Sequence, residues 1–148
     1  MLIKKVETIE EARVCDTLLT KLIQDESKYN KLINPNFVVN NYFTNIYDNT
    51  DNCLLIATNE DSITGYIFVK RIESETSDTV VLIDGLYVEK EYRNQGIASS
   101  LIDSALAWCK ENSINAVKIK VMTNNESALK LYQKYGFNEL SKELINYL

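Results

Sequence analysis

The sequence predicts an α/β fold on a mixed, mostly antiparallel central sheet, and three features carry that prediction. Short apolar runs between Cys53 and Val88 are divided by two polar turns, as in an antiparallel meander. Gly96 separates the last of these runs from a helical pattern that leads into an alternating segment, the grammar of a βαβ unit. Helical patterns also precede the meander and follow the βαβ unit.

Taken in chain order, residues 2 to 7 alternate enough for a first strand, and Thr8 followed by Glu11 forms a capping-box start for a helix. Ala12, Cys15, Leu18, Leu19, Leu22 and Ile23 give that helix one apolar face, and it is expected to end near Glu26. Residues 27 to 36 are the connector. Asn34-Pro35 restarts the chain into a second helix, since proline suits a first helical turn, with Val38, Tyr42, Phe43 and Ile46 on a shared face. Cys53 to Ala57, Gly65 to Ile72 and Val80 to Val88 are the meander strands, with turns at Asn59 to Ser62 and Glu73 to Asp78. After Gly96, the residues Ala98, Leu101, Ile102, Ala105, Trp108 and Cys109 line one face of a third helix, and Val117, Ile119 and Val121 alternate as a strand. A fourth helix runs from Asn124 to Tyr135 and ends at Gly136, and the tail from Phe137 is expected to supply a last strand. No repeat, low-complexity segment or linker divides the 148 residues, which suit one domain, 1–148.

Composition removes whole reaction classes. The chain has no histidine, so it offers neither His-based zinc sites nor Ser-His-Asp or Cys-His catalysis, and no metal is expected. Cys15, Cys53 and Cys109 are odd in number and far apart, which argues against a disulfide framework and fits a reducing compartment. No run approaches the roughly 18 to 20 apolar residues of a membrane span, and the first residues carry no leader pattern, so a cytoplasmic location is expected. A formal charge of −5 opposes nucleic-acid binding and mildly favours a cationic small molecule.

The most informative segment is Arg93-Asn94-Gln95-Gly96-Ile97-Ala98-Ser99, between a strand and a helix. A helix N-terminus presents unpaired amides and partial positive charge, which suits a pyrophosphate. Gly96 clears the approach, Ala98 keeps the next side chain small, and Asn94 to Ser99 supply successive amides. A Walker loop needs Gly-Lys-Ser/Thr and a dinucleotide fingerprint needs three spaced glycines; neither is present. Taken alone, the turn reads first as a tight strand-to-helix junction with no ligand.

Three blocks together resemble the GNAT superfamily of acyl-CoA-dependent N-acetyltransferases. They are Leu86 to Arg93, the turn itself with Arg93, Gly96 and Ala98 at its signature positions, and Asn125-Glu126-Ser127-Ala128 through Leu131 to Phe137. The resemblance covers about the last 70 residues. It implies acetyl-CoA as co-substrate, a sheet splayed between the fourth and fifth strands, and pantetheine pairing with the freed edge at Leu86, Tyr87 and Val88. It also implies that Tyr132 faces the CoA sulfur as general acid, that Asn125 contacts the cofactor arm, and that Asp84 accepts the amine proton directly or through water.

Each residue has a plainer reading beside this one. Gly85 fits a bulge or a close backbone approach, and equally the relief of crowding against a helix. Tyr132 is otherwise a core aromatic beside Ala128 and Tyr135, Asp84 a solvent-facing edge charge, and the asparagines at 124 and 125 a helix cap. A phenol with an ordinary pKa of about 10 is protonated at neutral pH and can donate to a thiolate. Cys109 belongs to an apolar helix face, so direct transfer without an acetyl-enzyme is expected.

The leading expectation is acetylation of a primary amine on a small cationic molecule such as a polyamine, aminoglycoside or amino acid. A protein N-terminus or lysine as acceptor is the second expectation, and a non-catalytic acyl-CoA sensor or interaction module the third. Tyr29, Phe37, Tyr42 and Phe43 are candidate pocket residues or core. The apolar final segment, Leu144 to Leu148, makes a homodimer possible to form by strand pairing or packing.

Overall fold

The computed structural model describes residues 1–148. Five strands lie in the spatial order of the sequence: β1 (Leu2–Lys5), β2 (Cys53–Asn59), β3 (Ser62–Ile72), β4 (Val80–Val88) and β5 (Ala116–Ile119). The first four pair antiparallel, whereas β5 runs parallel to β4. The helices are α1 (Ile9–Glu26), α2 (Tyr42–Ile46), α3 (Ile97–Glu111) and α4 (Glu126–Lys134), with a short 3-10 turn at Lys90–Tyr92.

The middle strands are apolar on both faces, because both faces are covered. On one side Leu55, Ala57, Ile67, Val69, Val81 and Ile83 pack with Leu101, Ile102, Ala105 and Trp108 of α3, and α4 adds Leu131, Tyr132 and Tyr135 at the margin. On the other, Leu54, Ile56, Tyr66, Phe68 and Tyr87 pack with Ala12, Cys15 and Leu18 of α1 and Phe43 of α2. Each fully buried aliphatic or aromatic side chain here stabilises the fold by about 1.5–3 kcal/mol.

Local signals set most boundaries. The Thr8 side chain accepts from the Glu11 amide while Glu11 reaches back to the Thr8 amide, so α1 starts on a complete capping box. Gly136, at φ +85°, closes α4: its N–H donates to Gln133 and that of Phe137 to Tyr132, the two bonds of a Schellman turn. The rings of Tyr132 and Phe137, 6.3 Å apart, form the apolar contact that accompanies it.

Three expectations fail. The second helix starts at Tyr42 rather than at Pro35, because the chain makes only a single turn, Phe37 N–H to the Asn34 carbonyl, before side chains of α1 hold its backbone. The Phe37 carbonyl accepts from Gln24 Nε2, the Val39 N–H donates to Thr20 Oγ1, and the Phe43 N–H donates to the Asp16 carboxylate at 2.7 Å. The tail from Phe137 forms no sixth strand: no backbone ladder reaches beyond β5, and Leu140, Leu144 and Ile145 stand exposed. β5 itself stops at Ile119 and so excludes Val121.

Candidate active site

The turn before α3 is a row of free backbone donors. Asn94 and Gly96 both take positive φ, 62° and 81°, and the first backbone bond of the helix is Ser100 N–H to the Gly96 carbonyl. The amides of Asn94, Gln95, Gly96, Ile97, Ala98 and Ser99 therefore donate to no group of the chain. A side chain at Gly96 would meet nothing within 4 Å, so the glycine serves the left-handed backbone and leaves the approach open. Six consecutive amides at a helix N-terminus suit a pyrophosphate arm by the chemistry of the donor set.

Arg93 does not add its charge to that row. Its Nε donates to the Val88 carbonyl at 2.8 Å, its guanidinium lies 3.5 Å from Asp25 at the end of α1, and it stacks over the Tyr87 ring. It pins the strand end to α1 and to the turn. The Tyr135 hydroxyl donates to the Ser99 carbonyl at 3.1 Å, which fixes α4 beside the same turn.

The sheet opens where a bound arm could pair. β4 and β5 are in register from Val80 with Ala116 to Ile83 with Ile119, and no further, so residues 84 to 88 lack a neighbour on that side. The break coincides with a bulge: Phe68 faces Gly85 while Val69 faces Ile83, leaving Asp84 as the extra residue. Because the Glu89 N–H donates to Thr64 on β3, the antiparallel alternation turns the peptide groups of Leu86 and Val88 toward the open edge, whereas Tyr87 spends its own on β3. A Cβ on Gly85 would stand 2.5 Å from the Tyr66 hydroxyl, so the crowding at this glycine comes from the adjacent strand rather than from a helix.

Asn125 caps α4, its Oδ1 accepting from the Ala128 amide. Two turns later Tyr132 is half-buried against the α3 core. Burial, and then the negative charge of Glu26, push its phenol up to about 12, so it holds its proton throughout the neutral range. Burial likewise raises the Cys109 thiol above its ordinary value, and its side chain belongs to the core.

On the opposite face lies a cavity of about 600 Å³ between the second half of α1, residues 37–40, Tyr42 and the sheet. Leu19, Leu22, Ile23, Phe37 and Val39 make its apolar wall, and Glu26, Lys70 and Asp84 its charged end. The bulge presents Asp84 to this cavity, where Lys70 Nζ lies 3.1 Å from its carboxylate. Of the four aromatics considered as pocket residues, Phe37 and Tyr42 line the cavity, Phe43 is core, and Tyr29 lies outside it. Glu26 and Lys70 are additions that sequence patterning missed. The one available signal was a carboxylate in the last turn of α1 with no basic residue in that turn, an unfavourable placement beside the helix dipole.

Comparison with known proteins agrees with this geometry. A model of the acetyltransferase (GNAT) family matches residues 18–137. Streptothricin acetyltransferase of Escherichia coli is 31% identical over 80 residues, 53% of this chain and 46% of that protein, so the chain spans less than half the length of this curated relative. Among solved structures, a tetramutant of the BH1408 protein from Bacillus halodurans superposes with a TM-score of 0.87 at 18% identity, covering 100% of both chains. The aminoglycoside N-acetyltransferase AAC(6')-Iy in complex with CoA gives 0.75 at 16% identity, covering 99% of this chain and 98% of that one. At such identity the likeness to the solved structures is one of fold. The family model spans well over half of the chain and includes the amide turn, the parted strands and α4, so the chain belongs to the acetyltransferase (GNAT) family.

Proposed function

We propose that the protein transfers the acetyl group of acetyl-CoA directly to a primary amine on a small cationic molecule. The observation that carries this reading is the row of six free amides, Asn94 to Ser99, at one end of a β4 edge whose other face opens on a cavity ending in carboxylates. The likeness to small-molecule acetyltransferases gives it further support.

In this reading the amides of Asn94 to Ser99 hold the pyrophosphate of the co-substrate, the outward peptide groups of Leu86 and the Val88 N–H pair with its pantetheine arm, the Val88 carbonyl being held by Arg93, and Asn125 Nδ2, free of the capping bond, contacts that arm. Acetyl-CoA supplies an activated thioester carbonyl. A backbone N–H on the open edge stabilises the oxyanion as it develops. Tyr132, kept protonated by burial and by Glu26, donates to the departing sulfur. The acceptor's ammonium is drawn to the charged end of the cavity, and its apolar portion lies along Leu19, Leu22, Ile23 and Phe37.

Acetyl-CoA should raise the melting temperature, and an amine from a panel of polyamines, aminoglycosides and amino acids should release free CoA. Tyr132→Phe should lower kcat by about tenfold to a hundredfold, while the acetyl-CoA Kd stays within about twofold. Since the Tyr132 phenol sits near 12, the wild-type rate should show no alkaline fall attributable to it below about pH 10. No thermal response to any acyl-CoA would sink the reading.

A further inference from the structure

Asp84 sits where the bulge delivers a carboxylate to the acceptor cavity, yet it is already engaged: Lys70 lies 3.1 Å from it and compensates its charge. Glu26 lines the same charged end and has no ion pair and no hydrogen bond to its side chain from any residue. Its neighbour Asp25 is paired with Arg93, so that guanidinium is committed elsewhere. A half-buried, unpaired carboxylate at the negative end of a helix dipole is unfavourable for folding, and it opens onto the cavity opposite the parted strands.

Resting on the acetyl-transfer reading above, we infer that Glu26, rather than Asp84, is the catalytic base that takes the proton from the acceptor ammonium. Asp84 with Lys70 then acts on acceptor binding. The ammonium gives one proton to the Glu26 carboxylate, and the freed nitrogen pair forms a C–N bond at the thioester carbonyl. As the C–S bond breaks, the sulfur takes the Tyr132 proton. The amide nitrogen sheds its second proton to the tyrosinate, and Glu26 returns its own to water.

The electrostatics suit that task. Burial first, and the charge of Asp84 second, raise the Glu26 carboxyl above its ordinary value, which makes it a stronger base than an exposed glutamate. The groups around it are Asp84 on β4, Lys70 and Tyr66 on β3, Tyr42 on α2 and Tyr132 on α4. Only Lys70 among them carries positive charge.

The test joins kinetics to a direct titration. In the kinetics, kcat/KM for the best amine should rise with pH through one acidic limb lying above the usual carboxylate range. Glu26→Gln should remove that limb and lower kcat by about a hundredfold, leaving acetyl-CoA Kd within about twofold. Asp84→Asn should keep the limb, move it to lower pH, and act mainly on KM for the amine. A retained limb in Glu26→Gln, or its loss only in Asp84→Asn, overturns the assignment. Independently of turnover, carboxyl-labelled NMR, with Glu26→Gln identifying the resonance, should show Glu26 titrating above the exposed glutamates. Titration together with them also overturns it. Wild-type acetyl-CoA binding and CoA release report on the acetyl-transfer reading alone, so the two failures are distinguishable.

Discussion

The two faces of the sheet build their halves of the site by different means. On the α3 and α4 side the donors are six consecutive backbone amides, the glycine that sets them is in the same turn, and Tyr132 is held by a Schellman closure within five residues of itself. On the α1 and α2 side the cavity wall comes from α1, residues 37–40, Tyr42, β3 and β4, tied by side chains reaching 13 to 27 residues along the chain. A site made of backbone tolerates side-chain exchange and fails when φ changes. A site made of long-range side-chain bonds does the reverse.

The sharpest way to break that contrast is Gly96→Val. At φ +81° a β-branched residue is strained by more than about 1–2 kcal/mol, although it would meet no neighbouring atom. The turn should therefore rearrange and the amides lose their common direction. Acetyl-CoA affinity is expected to fall about a hundredfold, equivalent to about 3 kcal/mol, measured by titration calorimetry. Gly96→Ala should fall between this variant and the wild type. Unchanged affinity in the valine variant would mean that the co-substrate is held elsewhere.

Asp16→Ala probes the other face. Its carboxylate accepts the Phe43 N–H in a buried bond of 2.7 Å, and removal should cost about 2–3 kcal/mol in urea unfolding. With the start of α2 released, the amine KM should rise while the acetyl-CoA Kd stays within about twofold. Asp16→Asn, which keeps an oxygen acceptor, should recover most of both losses. Equal damage to the two affinities would show that the halves are one unit.

The same contrast explains what could be read in advance. The capping box at Thr8, the meander, the Gly96 turn and the Gly136 closure are local patterns of a few residues, and all appear as expected. The bulge was also foreshadowed, because Gly85 interrupts a strand and a neighbouring side chain needs its space. Proline at 35 misled for a physical reason: a helix start is cheap to propose from one residue, but Thr20 and Gln24 compete for the backbone of 37–39 from another element. The tail misled similarly, since Leu144 and Ile145 have strand-forming character while no strand pairs with them. Glu26 could not be found from spacing, because its partners Asp84 and Tyr132 converge only after the sheet parts.

The smallest expected effect is at Tyr66, which sits where the two halves meet. Its hydroxyl is fully buried, has no hydrogen-bond partner, and lies against Gly85 beneath the bulge that presents Asp84. Burial drives its phenol well above the ordinary value, so it stays neutral, and a neutral hydroxyl without a partner costs the folded state about 1–3 kcal/mol. Tyr66→Phe keeps the ring against Phe43, 5.4 Å away, and removes only that penalty, so stability should rise by about 1 kcal/mol, with a higher urea midpoint and unchanged slope. Acetyl-CoA affinity should not move, because Leu86 and Val88 keep their outward peptide groups. A loss of stability instead would mean that the hydroxyl braces the bulge, and the amine KM should then rise with it.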